Sequence, residues 1–483
     1  MATTADQMAA SLSLANFAKA TDLKKRLWFT LGALVVFRML SFVPLPGIDP
    51  RTLSSLFETT RGGVLDFFNM FSGGSLERMS LVALGVMPYI TASIVMQLAS
   101  SMSPTLAALK KEGESGRKKL NQYTRYGTVV LCAIQGYFMA VALESWGAGG
   151  GASAVVDPGM AFRLTAVVSL VGGAMFLMWL GEQISSRGVG NGVSLIIMAG
   201  IIAQMPVTLA QAFEGGRTGS LSPFAIGAVT LFALALILFI CFMELAQRRV
   251  PIQYPKRQSA LAGGQSERSH LPLKINAANA IPPIFASSLL LMPLTIVQFA
   301  GDSAGDGAWG DFVITITTLL RPGAPLYLGL YGAGIIYFTF FYTAVVFNPE
   351  ETAENLKKYG GFIPGIRPGK RTEEYLRYVL TRITMLGAAY LTLVCLLPEY
   401  FIAEAGIPFY LGGTSLIIVV NVTMDTISQI QGHLTAHQYG DLIRKAKLKG
   451  SRPTGAHFAS GSNARQDDTG LAGGQRLPFR RRV

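Results

Sequence analysis

His433 and His437 stand four residues apart, a spacing that on a helix would set two imidazoles on one face as a metal pair. No acidic or third ligand accompanies them in an HExxH arrangement, and His270 and His457 lie elsewhere, so no metal is expected. Cys132, Cys241 and Cys395 fall inside apolar stretches without a pairing spacing; they suggest neither a disulfide framework nor a thiolate site, but packing. Gly188-Val-Gly-Asn-Gly192 looks like a phosphate-cradling loop, yet it joins two hydrophobic stretches and reads as a flexible turn. GxxxxGK[ST], GxSxG and zincin signatures are missing from the sequence. Glu182, Glu244 and Asp425 would hint at ion coupling if buried in a membrane, but they sit at the ends of apolar stretches where water reaches them. These residues point to no enzyme and to no cofactor.

The elements that carry them are long and apolar. Ten stretches, near 27–43, 79–101, 126–145, 161–181, 193–213, 223–246, 278–300, 325–347, 380–398 and 408–431, approach the ~20 residues a helix needs to span ~30 Å of hydrocarbon. The amino-terminal segment and the loops after stretches two, four, six and eight hold 4, 6, 1, 6 and 6 Lys plus Arg, and the tail holds 10. The other five loops hold 3, 0, 1, 1 and 0. Positive charge at span ends stays on the cytoplasmic side, so both termini are expected inside the cell, with most of the net charge of +13 on one surface. The first residues lack a basic start followed by an apolar core and read as an amphipathic lead-in, with Leu12, Leu14 and Phe17 on its apolar positions. The expected organisation is a cytoplasmic amphipathic segment 1–26, a half 27–213, a half 223–431, a cytoplasmic segment 432–450 and a basic tail 451–483 whose Gly, Ser, Arg and Gln content is that of disorder.

Two features exceed what topology requires. The loops near 102–124, 247–277 and 348–379 are far longer than tight connections and basic, and so read as docking surfaces. The backbone is also irregular. Val64 to Phe71 is an apolar piece too short to span, bracketed by Gly62, Gly63, Gly73 and Gly74, and must re-enter the membrane or lie on it. Pro88 interrupts the second stretch, and Pro282, Pro283 and Pro293 interrupt the seventh. Breaks at corresponding places of two five-stretch halves are what an internally repeated transport fold would show.

Several runs are recognisable: FVPLPGID from Phe42, FNMFSGG from Phe68, KKEGESGRKK from Lys110, QYTRYG from Gln122, MWLGEQISSRGVGNG from Met178, HLPLK from His270, FNPEETAENLKK from Phe347, PGIRPG from Pro364 and PFYLGGTSL from Pro408. In these runs and their order the chain resembles the SecY/Sec61-alpha family of protein-export channels, from about Leu23 to Gly450. The resemblance implies an all-α membrane protein of ten transmembrane helices in two pseudo-symmetric five-helix halves, with a short re-entrant plug helix. Unfolded polypeptide would pass through the middle, and a seam between the halves would open toward lipid.

The family's constriction ring falls on Val86, Ile90, Val193, Ile197, Ile284 and Ile418, all branched aliphatics that exclude water by dewetting. Its plug falls on about 64–74, with Val64, Leu65, Phe67, Phe68, Asn69, Met70, Phe71, Gly73 and Gly74; its lateral gate falls on Thr91, Gln97 and Met292. Polar groups at such a seam would pair when it closes. Motor and ribosome docking falls on Arg367, Lys357, Lys358, Lys370, Arg371, Arg248, Arg249, Lys256 and Arg257. The partners implied are the SecE and SecG subunits, the SecA ATPase, the ribosome, preprotein signal sequences and nascent chains, membrane lipids and, further out, the SRP receptor, YidC and SecDF. The location implied is the bacterial cytoplasmic (inner) membrane. The chain departs from the family in the 256–268 loop, where charge is diluted, and in the tail; LAGGQ occurs at Leu261 and again at Leu471. A small-solute secondary transporter is the rival reading, and it should bring polar ligands to the breaks. An intramembrane enzyme would need a buried nucleophile or metal cluster, which the sequence does not offer.

Overall fold

The computed structural model describes residues 21–49, 52, 69, 72–148, 155–217, 223–254, 269–290, 315, 319–320, 324–405 and 412–450. Most of the expected plug, Met292, Pro293, Lys256, Arg257, both LAGGQ strings and the two terminal segments 1–20 and 451–483 lie outside them.

Helix α1 is Thr21–Leu40; α2 (Met87–Met102) and α3 (Pro104–Lys111) follow, then α4 (Glu114–Ala148), α5 (Met160–Arg187), α6 (Gly192–Arg217) and α7 (Pro223–Leu245). Strands β1 (Gln247–Ile252) and β2 (Ser269–Lys274) come next, then α8 (Ile281–Leu290). The chain closes with α9 (Pro325–Val346), α10 (Pro349–Lys358), α11 (Lys370–Ala405) and α12 (Gly413–Gly450). Among the described residues seven helices are long and apolar enough to cross a membrane, eight if α2 and α3, bent by 106° at Ser103, count as one broken span. Helices α1 and α8 fall on the expected first and seventh stretches, so this count is consistent with ten. The chain divides into two compact units, 1–434 and 435–483; residues 435–450 of the second are helical.

Helix α7 shows why these segments are membrane elements. Its sequence PFAIGAVTLFALALILFICFMEL is apolar on every face, and Leu231, Leu238 and Phe242 are exposed while Leu236 and Ile240 are buried. A helix apolar all round has lipid as the solvent for its outer face. The main apolar core gathers residues from α1, α2, α5, α6, α7, α8, α9, α11 and α12.

Two expectations change. Pro88 does not interrupt a helix: it lies in the first turn of α2, and the irregular backbone precedes it, with residues 72–86 in turns. Pro282 and Pro283 likewise sit in the first turn of α8, after the irregular 275–280. Proline there forfeits no hydrogen bond, because the first helical N–H groups have no partner within the helix. Prolines inside helices occur instead at Pro206 of α6 and Pro398 of α11. In the loop after α7, β1 and β2 pair antiparallel, with Gln247 opposite Lys274 and Ile252 opposite Ser269. The loop after α9 contains α10, capped by Asn348, whose Oδ1 accepts from the Glu350 N–H at 3.1 Å.

The irregular stretch 72–86 is tied down by backbone bonds to the chain leaving α1: the Leu45 N–H donates to the Met79 carbonyl at 2.8 Å, and the Leu81 N–H to the Val43 carbonyl at 3.0 Å. Gly173 of α5 lies against the Leu81 carbonyl so closely that an added Cβ would overlap it, whereas an added Cβ at the neighbouring Gly172 would meet nothing within 4 Å. Gly173→Ala should therefore destabilise the purified protein by about 1–3 kcal/mol while Gly172→Ala leaves it unchanged, as read by thermal denaturation in detergent. Equal behaviour of the two variants would contradict this packing.

Candidate functional site: an aliphatic constriction and its polar rim

Val86 is the N-cap of α2 and Ile90 lies one turn beyond it; Val193 and Ile197 are one turn apart at the start of α6; Ile284 is in the first turn of α8; Ile418 is in α12. Three of the four helices begin next to the residues in question, so helix starts set their positions. Val86, Ile90, Ile197, Ile284 and Ile418 are buried in one apolar cluster, and Val193 packs against it. All six branched aliphatics, whose sequence positions span more than 300 residues, thus lie in or against the main apolar core. Such a cluster offers water no hydrogen bond, which is the requirement for an apolar barrier.

Of the residues expected in the plug, Asn69, Gly73 and Gly74 are described. Asn69 is buried; its Nδ2 donates to Glu77 Oε2 at 3.2 Å, its Oδ1 accepts from the Glu77 N–H at 3.0 Å, and its carbonyl accepts from the Gly74 N–H at 2.8 Å. Gly73 and Gly74 have φ of +70° and +79°. Their small size serves close approach as well: a Cβ on Gly73 would come within 2.9 Å of the Gly200 Cα on α6.

Sequence reasoning passed over Arg38 of α1. Its Nη1 donates to the Gly73 carbonyl at 2.8 Å, and its guanidinium lies 4.8 Å from the Phe42 ring centre, with Arg78 at 4.4 Å from the same ring. The available signal was an arginine inside an apolar stretch, which is costly unless a partner requires it.

At the expected seam, Thr91 Oγ1 donates to the Met87 carbonyl at 3.1 Å and Gln97 Nε2 to Ser93 Oγ at 3.3 Å. Both bonds stay within α2, so the expected pairing across the seam is absent among the described residues. The turn 188–192, expected to be flexible, is pinned: the Val189 N–H donates to Thr30 Oγ1, the Gly190 N–H to Gln429 Oε1 and the Gly192 N–H to Ser185 Oγ. Nor is Glu244 open to water. It is buried and accepts from Asn276 Nδ2 at 2.6 Å, with Asn279 Nδ2 reaching Asp425 at 3.4 Å and Lys274 pairing with Asp425 at 4.0 Å. Glu182 accepts a two-pronged bond from Arg125, the closest contact 2.6 Å. The groups that suggested ion coupling are structural ties between helix ends.

The basic loops form one platform. Val250, Ile252, Leu273, Leu356, Ile363, Leu376, Val379 and Ile383 share a cluster, so β1, β2, α10, the 361–369 loop and the base of α11 pack as a unit. Gln253 and Phe362 exchange backbone bonds at 2.9 Å. The loop turns at Gly365 (φ +84°) and Gly369 (φ +107°), and the Arg367 carbonyl accepts from Thr372 Oγ1 at 3.0 Å. Arg367, Arg248, Arg249, Lys357, Lys358, Lys370 and Arg371 are all exposed on this unit.

The family model for SecY matches residues 80–427. The chain is also 51% identical to the protein translocase subunit SecY of Pseudomonas aeruginosa over 440 residues, which is 91% of this chain and 97% of that one.

The chain belongs to the SecY family.

The same subunit of Escherichia coli K12 is 51% identical over 429 residues, 89% of this chain and 96% of the relative. Among solved structures, a protein-conducting channel superposes with a TM-score of 0.60 at 17% identity, covering 85% of this chain and 92% of the other. Sec61 in the canine ribosome–channel complex superposes with a TM-score of 0.58 at 16% identity, again over 85% and 92%. The fold is that of SecY and Sec61 channels, and this SecY-family chain is a multi-pass membrane protein of protein translocation. Nothing in these likenesses supports the solute-transporter alternative.

Two outcomes follow for membranes containing this chain. Ile418→Asn should raise resting ion conductance by roughly tenfold or more, because an amide wets an aliphatic barrier. Arg38→Gln, which removes the cation from the Gly73 carbonyl and the Phe42 face, should raise it several-fold without lowering protein yield. Unaltered conductance in planar bilayers would count against each.

Proposed function

We propose that this chain is the central subunit of a bacterial inner-membrane translocon, passing unfolded preproteins through the constriction formed by Val86, Ile90, Val193, Ile197, Ile284 and Ile418. The observation that supports this is that all six aliphatics, from four helices, lie in or against the main apolar core, three of the helices starting beside them. Aliphatics grip no particular side chain, so chains of any sequence can slide past them, and they reseal by mutual contact.

Residues 64–74 act as the plug and residues around Thr91, Gln97 and Met292 as the lateral gate through which hydrophobic segments reach lipid. With Thr91 and Gln97 bonded within their own helix, opening costs no cross-seam hydrogen bond at those two positions. Both termini face the cytoplasm, which puts the basic platform on that side. The platform takes the SecA motor, through Arg367 at its projecting tip, and the ribosome, whose RNA phosphates suit Arg248, Arg249, Lys357 and Lys358. Lys256 and Arg257 extend the same surface. Among the described residues Arg367 pairs with no acid, so its guanidinium is available to a carboxylate on a partner. SecE and SecG complete the complex; energy comes from the motor or from synthesis, and the channel itself hydrolyses nothing.

Reconstituted with SecE and SecG, the chain should carry a secretory precursor to a protease-protected position when SecA and ATP are supplied. Arg367→Glu should reduce that protection by about tenfold or more, since it reverses one charge of a contact between ionised groups. Full protection in the variant would remove Arg367 from motor engagement. No protection by the unsubstituted chain, with folded complex and active SecA, would overturn the channel assignment.

A further inference from the structure

The α5–α6 turn belongs to the amino-terminal half and α12 to the carboxy-terminal half, and one face of α12 is fitted to that turn. Thr423, Thr426, Ile430 and Leu434 recur at helical spacing. Thr423 Oγ1 lies 3.5 Å from Met198 Sδ of α6, and Leu434 is buried with Val189 of the turn and Leu23 of α1, with Ile430 packed on them. Gly190 adopts φ +89°, and a Cβ there would lie 3.2 Å from Thr426 Oγ1. In that conformation its N–H points out of the turn to Gln429 Oε1 at 2.9 Å. The Gly188, Val189 and Gly192 N–H groups bond within the amino-terminal half, to the Ile184 carbonyl, Thr30 and Ser185. The Gly190–Gln429 bond is thus the one backbone tie from this turn to the opposite half among the described residues, and Val193 of the constriction lies three residues beyond it.

We infer that Gln429 is a positioning residue for selectivity: its side-chain carbonyl clasps the α5–α6 turn to α12 in the closed channel, so that a signal sequence must part this clasp to widen the constriction. The inference rests on the reading of the chain as a channel whose halves separate. Gln429 is exposed at the rim, so replacing it leaves the core intact. Loss of the acceptor weakens only the closed arrangement, in which the bond is made, and shifts the balance toward opening.

The test uses inverted membrane vesicles whose export channel is this chain, with SecA and ATP, and compares two precursors, one with an intact signal and one whose signal core carries a charge. Gln429→Met keeps the side-chain length and loses the acceptor; Gln429→Glu keeps an acceptor. The expected result is that Gln429→Met raises transport of the defective precursor relative to the intact one by ~5-fold, about 1 kcal/mol, with intact-signal transport unchanged, while Gln429→Glu behaves as the unsubstituted chain. An unchanged ratio in Gln429→Met, or an equal fall for both precursors, would overturn the clasp. Failure of the unsubstituted chain to move even the intact precursor would overturn the channel reading beneath it.

Discussion

Backbone polar groups inside a membrane have no water to bond, and this chain nonetheless keeps a non-helical segment, 72–86, in the midst of its helices. The rest of the arrangement follows from how that segment is satisfied. Its N–H and carbonyl groups bond to 43–45 and to one another; buried Ser72 Oγ accepts from the Leu76 N–H; and Gly173, Gly200 and Gly73 let helices α5 and α6 approach it to backbone contact. A side chain at any of those glycines would push a helix away and expose the carbonyls. Because the segment is held, α2 can start deep in the protein at Met87, and a helix that starts there places Val86 and Ile90 at its first turn. The irregular 275–280 does the same for α8 and Ile284, with Asn276 and Asn279, the latter at φ +53°, making the turn.

The division between apolar centre and polar rim is a physical consequence of what a leak-resistant passage must do. Aliphatic contacts are non-directional and reform after displacement, whereas a buried ion pair broken by a passing chain would leave a costly unpaired charge. The ion pairs and amide contacts accordingly occupy helix ends: Arg125 with Glu182 joins α4 to α5, Arg163 with Glu144 joins the same pair at their other ends, and Glu244 with Asn276 joins α7 to the start of α8. These ties fix helices as bodies.

Membrane character, the order of apolar elements and the family were legible in the sequence because each depends on local composition or on motif matches. What escaped depends on partners distant in the chain. Pro88 and Pro282 look the same to a local rule whether they kink a helix or open one; only the bonds from residues 43–45 reveal the second. The turn at 188–192 looked flexible because its anchors, Thr30 and Gln429, lie 159 and 239 residues from the amides they accept. The β1–β2 pair was hidden by its own sequences, QRRVPI and SHLPLK, whose prolines and charges disfavour a strand assignment; they suit a two-stranded ribbon with open edges. Helices α4 and α11 outrun their apolar stretches, at 35 and 36 residues, because the helix continues past the lipid through charged turns that no hydropathy reading counts.

That overrun has a mechanical meaning for α11. At ~1.5 Å per residue the helix is roughly 54 Å long. Its first turns, at Leu376, Val379 and Ile383, are packed into the basic platform, and its later turns, at Leu391, Val394 and Cys395, are buried in the central core. Midway, Gly387 lies so near the Ile275 carbonyl that an added Cβ would stand 2.6 Å from it, so the helix passes directly over the irregular segment from which α8 starts. The loop bearing Arg367 is joined to the helix at its base, where Thr372 holds the Arg367 carbonyl and the Thr372 and Glu373 N–H groups bond the Gly369 carbonyl. A close-packed interior transmits displacement rather than absorbing it. Whatever engages the platform therefore acts on a continuous helix that touches the 275–280 segment, and through it the start of α8 with Ile284.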